Sequence, residues 1–131
     1  MGMTVTNNDN RGVWIRDAVF DDDTFLATGA ITLTKGTILA RETASGKLKA
    51  FVKGGAGGLE IPTAVLDEDL VATGAGDVPC RPLIKAFLRF EKLIIVADGD
   101  NSNIDATVRD QLRDYGLIVQ DVTEMTSYDN Q

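Results

Sequence analysis

The chain has 131 residues, of which 44% are hydrophobic, 25% charged and only 6% aromatic, a balance that fits an ordinary globular chain and excludes global disorder. Surface scaling for this length gives one domain with about 6,700 Å² exposed and roughly two thirds of the extended chain's surface buried, so a core forms without disulfides or metals. Histidine is absent and the net charge is -7, which removes Ser-His and Cys-His catalysis and imidazole zinc sites, and disfavours nonspecific nucleic-acid binding by the whole domain.

The single Cys80 forms no intramolecular disulfide and supplies no zinc framework, and it reads as a small strand residue. No apolar run approaches the roughly 18 residues that span a bilayer. The start, Met1-Gly2-Met3-Thr4-Val5-Thr6-Asn7, lacks a basic region followed by an apolar one, so a cytoplasmic chain is expected. Charge is unevenly placed. Lys35 to Lys53 holds five basic residues and one acidic, Arg81 to Lys92 four and one, and the remainder four against eighteen. The two basic stretches are candidates to face an acidic protein partner.

In chain order, Thr4 to Gly12 is polar, rich in asparagine and without packing residues. Val13-Trp14-Ile15 and Val19-Phe20 then bracket Arg16-Asp17 in a strand-like patch that ends at Asp21-Asp22-Asp23. Two readings stay open for this patch. It is an ordinary strand of the domain, or an arm that orders by pairing with the sheet edge of another chain.

From Ile31 onward short strands alternate with turn signals. Thr37 to Arg41 follows Gly36, and Ala44-Ser45-Gly46 makes a hairpin connection to Leu48, Ala50 and Val52, which alternate with Lys47, Lys49 and Lys53. Residues 53–58 hold four glycines and form a loop. Glu60 to Leu66 is a strand in which Pro62 marks an edge or a strand start. After the glycine turn at residues 73–77, Val78 to Phe90 has the clearest period of two. Pro82, Ile84, Ala86, Leu88 and Phe90 share one face, and Arg81, Leu83, Lys85, Phe87 and Arg89 the other. The mixed face suits a subunit contact, with Leu83, Lys85, Phe87 and Arg89 as candidates, because arginine and aromatic residues gather at interfaces; an ordinary solvated sheet face is the simpler alternative.

One helix is expected where Ile104, Val108, Leu112 and Tyr115 recur at helical spacing, with a capping pattern at residues 102–105 and Gly116 after its end. Leu117-Ile118-Val119 resumes a strand, and residues 121–131 form a polar tail. Neither glycine loop has the strand, helix and lysine that phosphate binding requires. Residues 98–109 begin like a calcium loop but carry Asn103 at the sixth position and Arg109 at the twelfth. The Asp67-Glu68-Asp69 cluster is a weak cation site at most. No metal, cofactor or catalytic residue is assigned, and a non-enzymatic protein is expected.

The ordered series from Gly36 to Val119 resembles the bacteriophage lambda head decoration protein family. The motifs that carry this are Lys35-Gly36-Thr37-Ile38-Leu39-Ala40-Arg41, the hairpin Ser45-Gly46-Lys47-Leu48-Lys49-Ala50-Phe51, the centre Thr63-Ala64-Val65-Leu66-Asp67-Glu68-Asp69 with Val71 to Pro79, and the closing Tyr115-Gly116-Leu117-Ile118-Val119. Ala64 and Ala86 stand where the family commonly has glycine. The resemblance implies a mostly β domain with a small α part, compact and sandwich- or barrel-like, with one C-terminal helix and an extended N-terminal arm. It divides the chain into an arm (1–30), a decoration domain (31–120) and a polar tail (121–131).

It further implies homotrimers on threefold and quasi-threefold positions of an expanded phage capsid. These sit on the virion's outer surface, are made in the host cytoplasm, and clamp capsomers against the pressure of packed DNA. The partner is then the major capsid protein, with no direct nucleic-acid or membrane contact. Val13, Trp14, Ile15, Val19 and Phe20 of the arm become the expected capsid contacts, joining it as an added strand. A small β-rich carbohydrate-binding or adhesion module is the competing reading.

Overall fold

Leu48 recurs seven residues after Arg41, and the turn between them closes as a hairpin in which Glu42 N–H donates to the Lys47 carbonyl at 2.8 Å. The hairpin joins β4 (Ile38–Arg41) to β5 (Leu48–Ala50), with Leu39 opposite Ala50 and Arg41 opposite Leu48. It lies inside an eight-stranded sheet. The computed structural model describes residues 12–121. Its other strands are β1 (Trp14–Phe20), β2 (Asp23–Ala27), β3 (Ile31–Leu33), β6 (Pro62–Val65), β7 (Leu70–Ala72), β8 (Gly76–Cys80), β9 (Leu83–Arg89) and β10 (Leu117–Gln120), with a single helix, α1 (Ala106–Asp114). The main sheet runs β1-β9-β6-β4-β5-β2-β8, with β10 branching from β9, and curls into a half-barrel; β3 and β7 form a separate two-stranded ribbon.

The architecture follows from which strands are apolar on both sides. Ile38, Leu39 and Ala40 are consecutive and all fully buried, a pattern that only a strand covered on both faces produces. Ile38, Ala40 and Val65 face a core shared with Val108 and Leu112 of α1 and with Leu88 and Leu117. Leu39, Ala64 and Leu66 face a second core with Phe25 and Ala27 of β2 and with Leu33, Leu70 and Ala72 of the ribbon. Helix, sheet and ribbon thus stack as three layers over β4 and β6. Pro62 is the first residue of β6, so the strand-start alternative holds and β6 lies inside the sheet between β9 and β4.

The helix begins as its sequence requires. Asp105 is the N-cap, accepting a hydrogen bond from the Val108 amide at 3.1 Å, while Val108 and Leu112 turn inward; Tyr115, read as part of the same stripe, is 48% exposed. Gly116 follows at φ +91.

Three expectations are corrected. Residues 13–27 belong to the domain's own sheet and not to an extended arm: β1 pairs antiparallel with β9, and β2 with β8. Val13, Phe25 and Ala27 are buried, and the driving force is the removal of these side chains from water. The long strand from Val78 to Phe90 is two strands, β8 and β9, broken at Arg81-Pro82. The lysine row of β5 is not a free cationic face. Lys47 pairs with Asp77 at 2.8 Å, Lys49 with Glu42 at 2.9 Å and Lys53 with Asp105 at 2.7 Å. Residues 1–11, the polar start of the expected arm, and 122–131, nearly all of the tail, lie outside the described residues.

Gly36 is indispensable for a local reason. It sits at φ +95, and a Cβ there would meet the Lys92 carbonyl oxygen at 1.8 Å. That contact brings residues 92–94 onto the start of β4, where the Ile94 amide donates to the Gly36 carbonyl at 2.9 Å. Gly46 also has positive φ, +74, but open space around its Cβ position. Gly46→Ala is therefore expected to cost about 1 kcal/mol, from the left-handed backbone alone. Gly36→Ala is expected to cost several times more, because backbone must also move. Chemical denaturation of the two variants checks the difference, and equal midpoints would refute it.

Candidate functional site

Strand β9 organises the surface because three strands meet along it. β1 lies on one edge, while β6 and then β10 share the other. Its alternation breaks once. Between the pairs Val19↔Lys85 and Phe20↔Leu83, β1 advances one residue and β9 two, so Ile84 is the extra residue of a bulge. Leu83 and Ala86 consequently both point into the core, and Ile84 and Lys85 are both exposed. β1 carries the complementary irregularities. Its register slips between Trp14 and Arg16 and again between Arg16 and Val19, where Asp17 has φ 59.

The second core draws on no residue of β1, β9 or β10. The β3–β7 ribbon thus covers the sheet over β4 and β6 and leaves that face bare over β9 and its two flanking strands. A groove runs there, lined by Val19, Lys85, Phe87, Gly116 and Ile118 together with Asp17, Ala18 and Ala86. Arg16 stacks its guanidinium 4.0 Å from the centre of the Phe87 ring, a cation–π contact that fixes both side chains at the groove wall. Around the bulge the apolar surface continues to Ile84, Ile61 and Tyr115, which line a neighbouring depression with Arg41 and Thr43. Four of the exposed large hydrophobic residues, Val19, Ile61, Ile84 and Tyr115, therefore sit about the Ile84-Lys85 bulge. Patches of this kind mark contact surfaces on soluble proteins.

The residues singled out from the sequence divide as follows. Val13 is fully buried, and Ala18 and Phe20 pack against the same core; Ile15 is half-buried; Trp14 and Val19 are exposed at 37% and 43%. Of the expected subunit residues, Leu83 is fully buried, which corrects its assignment to a contact face, because the bulge turns it inward. Lys85 is exposed and Phe87 half-buried on the bare face. Arg89 is half-buried, and among the described residues its Nε is enclosed without a hydrogen-bond partner. Val19, Lys85 and Phe87 thus come together in the groove from strands far apart in sequence, whereas Trp14 lies outside its lining. Ile118, Ile84, Ile61 and Tyr115 were not foreseen: strict alternation puts Ile84 on the buried side, and only the parallel pairing Ile118↔Phe87 brings β10 to the groove.

Charge separates the two basic stretches. In the first, Arg41 is held by Asp23 at 2.6 Å, and the lysines after it are paired as described. In the second, only Arg81 has an acidic neighbour, Asp22 at 4.0 Å; Lys85, Arg89 and Lys92 make no ion pair among the described residues. The guanidinium of Arg41 holds the Asp23 carboxyl below the usual carboxylate range, with the Thr24 amide assisting, and outweighs the opposing effect of burial.

The acidic loop behaves differently. Burial pushes the Asp67 carboxyl up and Glu68 adds to the shift, while Lys35 and the side chain of Trp14 act against it. A cleft beside this loop reaches Cys80 and Arg81. Burial drives the Cys80 thiol up to about 11, and the neighbouring Asp23 carboxylate adds to the effect, so at neutral pH it is a protonated, poorly nucleophilic group. No cluster of three potential metal ligands occurs among the described residues. No helix of the described residues is long and apolar enough to cross a membrane.

A family model described as bacteriophage lambda head decoration protein D matches residues 4–117. No curated protein matches the chain.

Two outcomes test this electrostatic picture. Near pH 8, Cys80 in the native protein is expected to react with a disulfide reagent about 100-fold more slowly than in denaturant, where the thiol returns to its ordinary range; equal rates would refute the burial. Asp23 has a depressed native pKa, so its contribution is present above its ordinary value of 3.8 and is lost as pH falls through the lower native one. Asp23→Asn is therefore expected to flatten the decline of stability with acid in that range, read from denaturation midpoints against pH.

Proposed function

We propose that this chain, which belongs to the bacteriophage lambda head decoration protein D family, binds the outer surface of the expanded phage capsid as trimers at threefold and quasi-threefold positions. There it clamps neighbouring capsomers against the pressure of packed DNA. The family match carries the reading, since it spans residues 4–117 and so takes in the polar start as well as almost the whole described domain. Decoration is work done by binding, with no catalytic step, and the chain's chemistry agrees: it has no histidine, and its one thiol is held protonated.

Within this reading, burial narrows the candidate contact groups. Of the five residues first expected to meet the capsid, Val13 and Phe20 hold the core together, whereas Trp14 and Val19 present apolar surface. β1 is one of the edge strands of the main sheet, and among the described residues it pairs only with β9. In this reading the segment that precedes β1 in the sequence adds main-chain hydrogen bonds to a strand of the capsid protein. Three such segments in one trimer turn a weak single contact into a durable one, because after the first engages, the others bind at high effective concentration.

Purified protein mixed with expanded and unexpanded capsids is expected to bind saturably to the expanded form, as counted by co-sedimentation; absence of saturation there would overturn the proposal. Deletion of residues 1–11 is expected to leave the domain folded and to abolish attachment. Deletion of residues 1–20 removes Val13 and all of β1 and is expected to unfold the domain. A folded product from the longer deletion would show that β1 is dispensable to the core.

A further inference from the structure

The bare face of β9 has a cationic and apolar character that the chain itself can complement. Lys85 stands exposed beside the half-buried Phe87 ring; Arg16, stacked on that ring, is paired with Asp17 at 3.7 Å, which leaves Lys85 as the groove's unmatched charge among the described residues. Elsewhere the same chain carries the opposite character. Val71, at 61% the most exposed large hydrophobic side chain among the described residues, rises from the outer side of the ribbon, two residues after the loop Asp67-Glu68-Asp69. In that loop Asp69 accepts a hydrogen bond from the Lys35 amide at 2.9 Å and Asp67 is turned toward Trp14 and Lys35. Glu68 is exposed and makes no hydrogen bond or ion pair among the described residues.

We infer that the groove between β1 and β10 seats the Asp67–Val71 segment of a second copy of this chain, Val71 entering beside Phe87 and Glu68 meeting Lys85. The inference deepens the trimer reading and rests on it. Charge complementarity argues for the second copy as occupant. Copies of net charge -7 repel one another unless their contact joins opposite charges, and among the described residues Lys85 and Glu68 are opposite charges without an ion-pair partner. The two patches differ, so the contact is head-to-tail, the type of contact that in a trimer closes into a ring. The apolar parts match in the same sense. Val71 is a single projecting aliphatic group, and the groove offers an aromatic wall between Val19 and Ile118.

Zero-length carbodiimide coupling reads the contact directly, because it joins an amine only to a carboxylate that touches it. Isotope-labelled and unlabelled full-length protein are mixed in equal amounts. The mixture is coupled both free at high concentration and bound to expanded capsids, and the linked peptides are identified by mass spectrometry. The expected result is a mixed-isotope link between Lys85 and the 67–69 loop. Links that join copies only through other residues, or no mixed-isotope link in either sample, would overturn the inference.

A charge swap gives an independent reading. Lys85→Glu is expected to weaken association between copies by about tenfold, and Lys85→Glu combined with Glu68→Lys to restore it. An unchanged Lys85→Glu protein, or a double variant no better than the single one, would count equally against the inference. Both side chains are exposed, so unchanged thermal midpoints confirm that folding is intact. The same capsid samples separate the two readings. Bare capsids would refute decoration itself, whereas decorated capsids lacking the Lys85 link would refute this contact alone.

Discussion

Everything in this fold depends on burying one short run, Ile38-Leu39-Ala40, from two sides at once. A strand whose successive residues are all apolar cannot face water on either side, so it demands a layer above and a layer below. The helix supplies one through Val108 and Leu112, and the ribbon supplies the other through Leu33, Leu70 and Ala72. The neighbouring run Ala64-Val65-Leu66 repeats the demand one strand over. Gly36 locks the arrangement by letting the Lys92 carbonyl come within a distance that no side chain would tolerate. Because the ribbon is only two short strands wide, it covers the strands that need it and no more. The face of β9 that remains uncovered is thus a geometric result of satisfying β4 and β6.

The charges obey a similar division. The basic residues between Lys35 and Lys53 are largely matched by acidic residues brought in from β2, β8 and the helix cap, which holds these elements in place. Exposed pairs of this sort add little stability individually. They do leave that region electrically quiet. Among the described residues Lys85 and Arg89 of β9 receive no such partners, and they lie where apolar surface is also bare. A decoration protein works by meeting other surfaces, and this is the part of the molecule where unmatched charge and uncovered apolar groups coincide.

The sequence displayed the parts of this fold governed by local rules. The hairpin at residues 44–46, the β6 start at Pro62, and the helix with its stop at Gly116 follow from turn chemistry, proline geometry and periodicity. The consecutive burial of residues 38–40 is also written in their composition. What stayed hidden arises from pairing between distant segments. Whether residues 13–20 were strand or arm could not be decided locally, because their apolar pattern suits either, and the outcome rests on β9 being available beside them. The bulge at Ile84 interrupts an otherwise perfect alternation and has no local signature, so Leu83 and Ile84 exchanged sides relative to the pattern. The groove inherits that difficulty, since it takes residues from β1, β9 and β10, which lie about a hundred positions apart at the extremes.

One consequence is mechanical. Trp14 pairs with Leu88 and Gln120 with Arg89, so the described chain enters and leaves the sheet at the same end of β9, on opposite edges. Tension drawn between the segments beyond those two residues acts across the strands and not along them. It opens each ladder like a zipper, loading one hydrogen bond at a time in place of many in parallel. The domain is weakest under that direction of pull, and a neighbour resting against Phe87 and Lys85 would brace the seam where tearing begins.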